Sequence, residues 1–300
     1  MSLIGTSFIT AILVLTLHLS VFCQTDDEVI SVDSTLVILN ASIKDSNGRH
    51  VPGLKESQFT IIEDGIAQSI SFFEAEETPF AAVILIDTSG SMGSNVTLAR
   101  AAAIRFLDGL RSSDSAAIYK FDSKVEKVQD FSNSRDVSEN IYSLRADGMT
   151  VLNDAVFKAA ELLSDRPEKR RAIIVLSDGA DSMSGRSADR ALKAALAVNA
   201  VIYTVDMSVD TRSNPQNIAN RGVLRNFSVK SGGTFISTPG GAEMREAFAK
   251  IVEDLGIQYT LGYSPQNVKK DGKWRSIELK VARPNLMIRT RKGYNAEKLK

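Results

Sequence analysis

Two aspartates, two serines and a threonine form a set of side chains whose types and spacing could do chemistry together. The stretch "AAVILIDTSGSMGSN", residues 81–95, runs an apolar segment into Asp87 and follows it with Ser89 and Ser91. Further along, "ADGMTVLNDA" supplies Thr150 just after Gly148, a flexible point in the chain, and "RAIIVLSDG" runs into Asp178. Three neutral hydroxyls and two carboxylates are an all-oxygen set, which suits a hard, octahedral cation such as Mg2+ or Mn2+. These stretches offer no histidine or cysteine, the side chains that zinc prefers.

Other chemistries are open to the same residues. Serine and glycine after Asp87 also build turns, and Ser94 or Asn95 is placed to cap the following helix. A strand-end aspartate with magnesium is how some phosphatases begin, but those enzymes need a second acid two residues on, where this chain has Ser89. "DTSGSMGS" lacks the lysine of a phosphate-binding loop. A magnesium-dependent phosphoryl-transfer enzyme therefore stands as the alternative to a binding module. A structural envelope protein with a vestigial metal site is the third reading.

These residues need elements to hold them. The strand-like runs "AAVILID", "SAAIYKFD", "RAIIVLSD", "AVIYTVDM" and "GTFIST" alternate with helical patterns such as Ala99, Ala103, Phe106, Leu107 and Leu110. That alternation predicts an α/β fold, a doubly wound, mainly parallel six-stranded sheet covered on both faces. Ligands of such sheets bind beyond the carboxyl ends of the strands, where strand order reverses. The first strand ends in Asp87 and the fourth runs into Asp178, so two carboxylates are expected to face each other across that crevice, an arrangement that calls for a cation. Asp154 reads as a first-turn helix residue, and Asp181 and Asp206 as neighbours of the site rather than ligands.

The two ends of the chain have a different rhythm. Residues 29–76 are strand-like, with a hairpin expected through Asp64–Gly65, and strand patterns return after residue 257, where Trp274, Ile277, Leu279 and Val281 alternate with polar residues. Neither end has strands enough for a sandwich alone, but together they supply about seven. Residues 24–80 carry eleven acidic against three basic side chains, and residues 266–300 carry eleven basic against three acidic. The expected plan is a β-sandwich built from 24–78 and 257–300, with the α/β domain at 79–256 inserted into it.

The formal net charge of zero gives no argument for nucleic acid. The first 23 residues contain no Lys, Arg, Asp or Glu and read as a secretory signal peptide ending at Cys23, or, uncleaved, as a membrane anchor. Cys23 is the only cysteine, so no disulfide can form within the chain and stability must come from the core. A secreted, periplasmic or envelope location follows. His18 falls in the leader and His50 in a turn cluster, leaving no imidazole for the site beside Asp87. Asn40, Asn95 and Asn226 begin glycosylation sequons.

The pattern Asp-x-Ser-x-Ser at 87–91, with Thr150 and then Asp178 in "LSDG", resembles the von Willebrand factor type A domain and its metal-ion-dependent adhesion site over residues 79–256. The flanking "FTIIEDG" and "YTLGYSP" resemble segments of bacterial secreted proteins that carry this domain between strands. The resemblance implies that Ser89, Ser91 and Thr150 bind the metal by hydroxyl, and that Asp87 and Asp178 act directly or through water. It further implies an open coordination position for an acidic side chain of a partner protein, hence a docking site without catalytic residues.

Overall fold

The computed structural model of the protein describes residues 36–75, 78–93, 95–133, 138–208, 214–237 and 241–297; the expected leader at 1–23 lies outside them. The first described segment forms strands β1 (Val37–Lys44), β2 (Phe59–Glu63), β3 (Ile66–Gln68) and β4 (Ile70–Ala75). β2 and β3 are the expected hairpin, with Glu63 opposite Ile66. Asp64 and Gly65 both take positive φ, 46° and 84°, as a two-residue turn matching the twist of the strands requires.

The central segment holds β5 (Phe80–Asp87), α1 (Asn95–Asp108), β6 (Ser115–Phe121), β7 (Val125–Ser132), α2 (Leu152–Ser164), β8 (Arg170–Ser177), α3 (Ala188–Ala197), β9 (Ala200–Asp206), α4 (Pro215–Ser231), β10 (Phe235–Ser237) and α5 (Gly241–Gly256). Its six strands lie in the order β10-β9-β8-β5-β6-β7, all parallel except β7. Every residue of β5 is buried because both its faces are covered. Ala82, Ile84 and Ile86 pack with α1 and α5 residues including Phe106 and Phe248, while Ala81, Val83 and Leu85 pack with α2 and α3 residues including Val156 and Leu192. Each large aliphatic side chain so buried contributes about 1.5–3 kcal/mol, which makes this strand the rigid post of the domain. The one strand without an apolar run is β7, "VEKVQDFS"; it closes an edge, and only Val128 in it is buried.

The last segment adds β11 (Tyr259–Tyr263), β12 (Trp274–Val281), β13 (Met287–Arg289) and β14 (Gly293–Asn295). They interleave with the first segment in two four-stranded sheets, β13-β1-β11-β4 and β14-β12-β2-β3, around a core that includes Leu39, Ile61, Tyr259, Leu261 and Leu279. The sandwich is thus built from both chain ends. Strand parity sets one detail: Trp274 is exposed with Ser276, Glu278 and Lys280, while Arg275, Ile277 and Leu279 are buried. Asn40, one of the sequon asparagines, is buried and accepts a hydrogen bond from the Thr260 hydroxyl.

Sandwich and α/β domain are fastened near the amino ends of the parallel strands. Asp254 on α5 meets Lys44 Nζ at 2.7 Å, His50 Nε2 at 3.0 Å and the Arg289 guanidinium. Arg170, fully buried at the start of β8, donates to Thr260 Oγ1 at 2.9 Å, to Gly256 O at 3.3 Å and to Gln258 O. Burial alone would raise the pKa of Asp254, but His50, Arg289 and Lys44 outweigh it and hold the carboxyl well below the usual carboxylate range.

Candidate functional site

Strand order reverses between β5 and β8, and the site is built from the loops that leave their carboxyl ends. Their register pairs Ile86 with Leu176, so Asp87 and Ser177 come next in line, side by side. Asp87 is fully buried, and hydroxyls grip both of its oxygens. Ser89 donates to Oδ1 from its backbone N–H at 2.9 Å and from its hydroxyl at 2.6 Å; Ser177 donates to Oδ2 at 2.5 Å. The Ser89 and Ser91 hydroxyl oxygens lie 3.1 Å apart. Asp87, Ser89 and Ser91 therefore form one connected oxygen cluster.

Thr150 lies on a loop whose backbone is hydrogen-bonded to the segment that carries Ser89 and Ser91. Asp147 N–H donates to Thr88 O at 2.8 Å, and Gly90 N–H donates to Gly148 O at 3.1 Å. Gly148, which the sequence suggested as a flexible point, is instead a locked turn. Its φ is +76°, and a Cβ there would come within 2.7 Å of the Ser123 hydroxyl, the same hydroxyl that accepts from Met149 N–H. Thr150 is 4 % exposed; its carbonyl accepts from Ser182 and Met183 N–H, and its own N–H donates to the Ser182 hydroxyl. That second grip comes from the loop that begins at Asp178, directly after Ser177. The three loops carrying the five residues are thus tied to one another by backbone hydrogen bonds.

The electrostatics of the cluster are unfavourable to its own charge. Burial pushes the Asp87 carboxyl up to about 6, against the hydrogen bonds from Ser177 and Ser89 that favour the anion, and the negative charge of Asp178 pushes the same way. A cation among these oxygens would remove that penalty. One pair of its oxygens has the spacing that a cation would need: adjacent oxygens of an octahedron with metal–oxygen distances near 2.1 Å stand about 3 Å apart, as the Ser89 and Ser91 hydroxyls do. Among the described residues no group of three or more His, Cys, Asp or Glu side chains could hold a metal, so a cation would rest mainly on hydroxyls.

Neighbouring acids have structural partners. Asp154 pairs with Arg186 at 3.1 Å and accepts from Gly185 N–H; Asp181 accepts from Asn153 and Ser184 N–H. Asp206 pairs with Arg221 at 2.7 Å and accepts from Ser208 N–H. All three shape the rim. Asn95 is the first residue of α1 and sends its side-chain amide to Met207 O at 2.7 Å, tying the helix to the loop after β9; Ser94 lies outside the described residues. His50 stands at the sandwich clamp, away from Asp87. Sequence reasoning missed Ser177. Its type and spacing are unremarkable, and only strand register sets it beside Asp87.

Residues 82–180 match the family described as the von Willebrand factor type A domain. No curated protein matches the chain. Among solved structures, the pilus adhesin SpaC from Lactobacillus rhamnosus GG is similar in fold, with a TM-score of 0.50 and 10% identity over 82% of this chain and 42% of that one. A von Willebrand factor type A protein from Catenulispora acidiphila gives 0.49 and 14% identity over 86% and 72%. The PilB minor pilin from Streptococcus sanguinis gives 0.47 and 13% identity over 61% and 63%. This chain spans less than two thirds of the length of the pilin.

Proposed function

We propose that this protein is a protein-binding module of the cell surface that uses a divalent cation, Mg2+ or Mn2+, to hold an acidic side chain of its partner. The observation that carries the reading is the cluster itself: two hydroxyl oxygens 3.1 Å apart beside a buried aspartate that, among the described residues, is met by the Ser89 and Ser177 hydroxyls and the Ser89 N–H and by no cationic side chain. Ser89, Ser91 and Thr150 would hold the ion by hydroxyl, with Asp87 and Asp178 acting directly or through water. A bound dication supplies an exchangeable coordination position to an incoming carboxylate. The chain's two carboxylates neutralise a dication only formally, so a third anion gains a charge-assisted contact there. The site sits on loops anchored by the buried β5 strand, which keeps it preorganised.

The phosphoryl-transfer alternative needs a carboxylate oxygen presented to phosphorus. Both oxygens of Asp87 are engaged by hydroxyls and its side chain is buried, which supports docking over covalent chemistry. The surface location rests on the charge-free apolar stretch at residues 1–23, which reads as a secretory signal. Thermal unfolding with and without millimolar Mg2+ or Mn2+ tests the metal. Wild type should gain stability by mass action, and Ser91→Ala, which leaves the core untouched, should gain much less. An unfolding curve indifferent to both ions would sink the reading.

A further inference from the structure

Beside the loop that carries Thr150, two arginines converge on one carbonyl oxygen. Arg100 on α1 donates from Nη1 to Tyr142 O at 3.2 Å, and Arg145 donates from Nη1 to the same oxygen at 3.3 Å and to Leu144 O at 2.9 Å. The two like charges therefore lie within about 7 Å of each other, close enough to repel. The Arg100 guanidinium also sits 5.8 Å from the centre of the Tyr142 ring, a side chain 56% exposed. Among the described residues no carboxylate stands at ion-pair distance from either arginine. Arg186 and Arg221, on the same end of the sheet, do pair with acids, Asp154 and Asp206. Asp147, the acid nearest Arg145 in sequence, takes the Gly148 N–H at 2.7 Å.

Each guanidinium has five N–H donors in a planar fork, and here only one nitrogen of each is engaged. The remaining donors are left for an anion, and carboxylate is the group that the fork matches in two-point fashion. Position gives the second link. Asp147 is hydrogen-bonded to Thr88, the residue between Asp87 and Ser89, and Arg145 lies two residues before it, at most about 7 Å of extended chain away. An exposed tyrosine between arginines also has the composition of an interface anchor.

We infer that Arg100 and Arg145, with Tyr142 as floor, form a clamp for a second carboxylate of an acidic protein segment whose first carboxylate goes to the metal site. The inference rests on the proposed docking role of that site and adds the partner's chemistry: an extended segment with at least two acidic side chains. A short stretch of extended chain, at about 3.3 Å per residue, bridges the two positions.

The test is fluorescence anisotropy of labelled hexaglutamate on the full chain, in MgCl2 and in chelator. Variants are Arg100→Ala/Arg145→Ala, Arg100→Lys/Arg145→Lys, Asp87→Ala, and Lys193→Ala as a charge control on α3, each checked for cooperative unfolding in chelator. In magnesium, the double alanine variant should weaken binding about tenfold or more, and the double lysine variant, which keeps charge but loses the fork, should recover only part of it. Lys193→Ala should bind as wild type does. Binding of the double alanine variant within twofold of wild type, while chelator or Asp87→Ala abolishes binding, would overturn the clamp and leave the metal reading standing. An arginine-dependent affinity that ignores magnesium would support the clamp and sink the metal reading. No binding by wild type in either buffer would overturn both.

Discussion

Asp87 and Asp254 are both buried carboxylates, 0% and 4% exposed, set at opposite ends of the same sheet, and the chain treats them in opposite ways. Around Asp254 it gathers Lys44, His50 and Arg289, and the carboxyl is held well below its ordinary range although burial works against this. Around Asp87 it gathers the hydroxyls of Ser89 and Ser177 and a second carboxylate, Asp178, and burial wins, raising the carboxyl to about 6. The first cluster is complete, and its role is to fasten sandwich to sheet. The second has its orienting groups but no cationic side chain among the described residues, which is the condition expected of a site that takes its counter-charge from solution.

The comparison breaks most visibly at the clamp. Asp254→Asn leaves Lys44 and Arg289 facing a neutral amide in a buried setting, and should cost about 3 kcal/mol of unfolding free energy. Urea denaturation would measure it, and any stability gained from Mg2+ should be unchanged in the variant. Because the folded pKa of Asp254 is depressed, its contribution is fully present above the unfolded value, about 3.9, and is lost as pH falls below it. The gap between wild type and Asp254→Asn should therefore be wide at pH 7 and narrow progressively below about pH 4; a gap independent of pH would show that the ion cluster contributes nothing to folding.

At the other end the expected effect concerns ligand more than fold. At a Mg2+ concentration of 100 times its dissociation constant, wild type should gain about 2.7 kcal/mol, and Asp87→Ala should lose that gain. A variant that keeps the full gain would place the ion elsewhere. Ser177→Ala sharpens the comparison. It removes one hydrogen bond to a buried carboxylate, costing about 1–2 kcal/mol in metal-free protein, and by loosening Asp87 it should weaken Mg2+ about tenfold or more. Isothermal titration calorimetry would check the affinity and unfolding curves the stability. Thr150→Ala should be the mildest for the fold, about 1 kcal/mol or less because it trims one small buried side chain, while weakening Mg2+ on the same calorimetric assay.

Much of the architecture is legible in the chain because it is periodic. A run such as "AAVILID" has no polar face to show water, so it must be a strand covered on both sides, and the alternation of such runs with helical patterns leads to the doubly wound sheet. Ser89 and Ser91 were legible for a local reason: two-residue steps after a strand end keep their hydroxyls near Asp87. β7, an edge strand half in water, carries no apolar run to mark it, and Trp274 breaks the apolar alternation of Ile277 and Leu279 because its parity puts it on the exposed face.

What the sequence by itself determined is the set of residue types, the order of elements and the contacts between residues close in the chain. Only the tertiary structure decided that Ser177 holds Asp87 from 90 residues away, that Gly148 is a locked turn against Ser123, and that Arg100 meets Arg145 across one carbonyl. It also decided that His50, unremarkable in a turn cluster, stands beside Asp254. The physical reason is the same in each case. Periodicity fixes which face of an element is buried, but the partner of a polar atom on that face depends on strand register and loop path, and those are settled only when the elements pack.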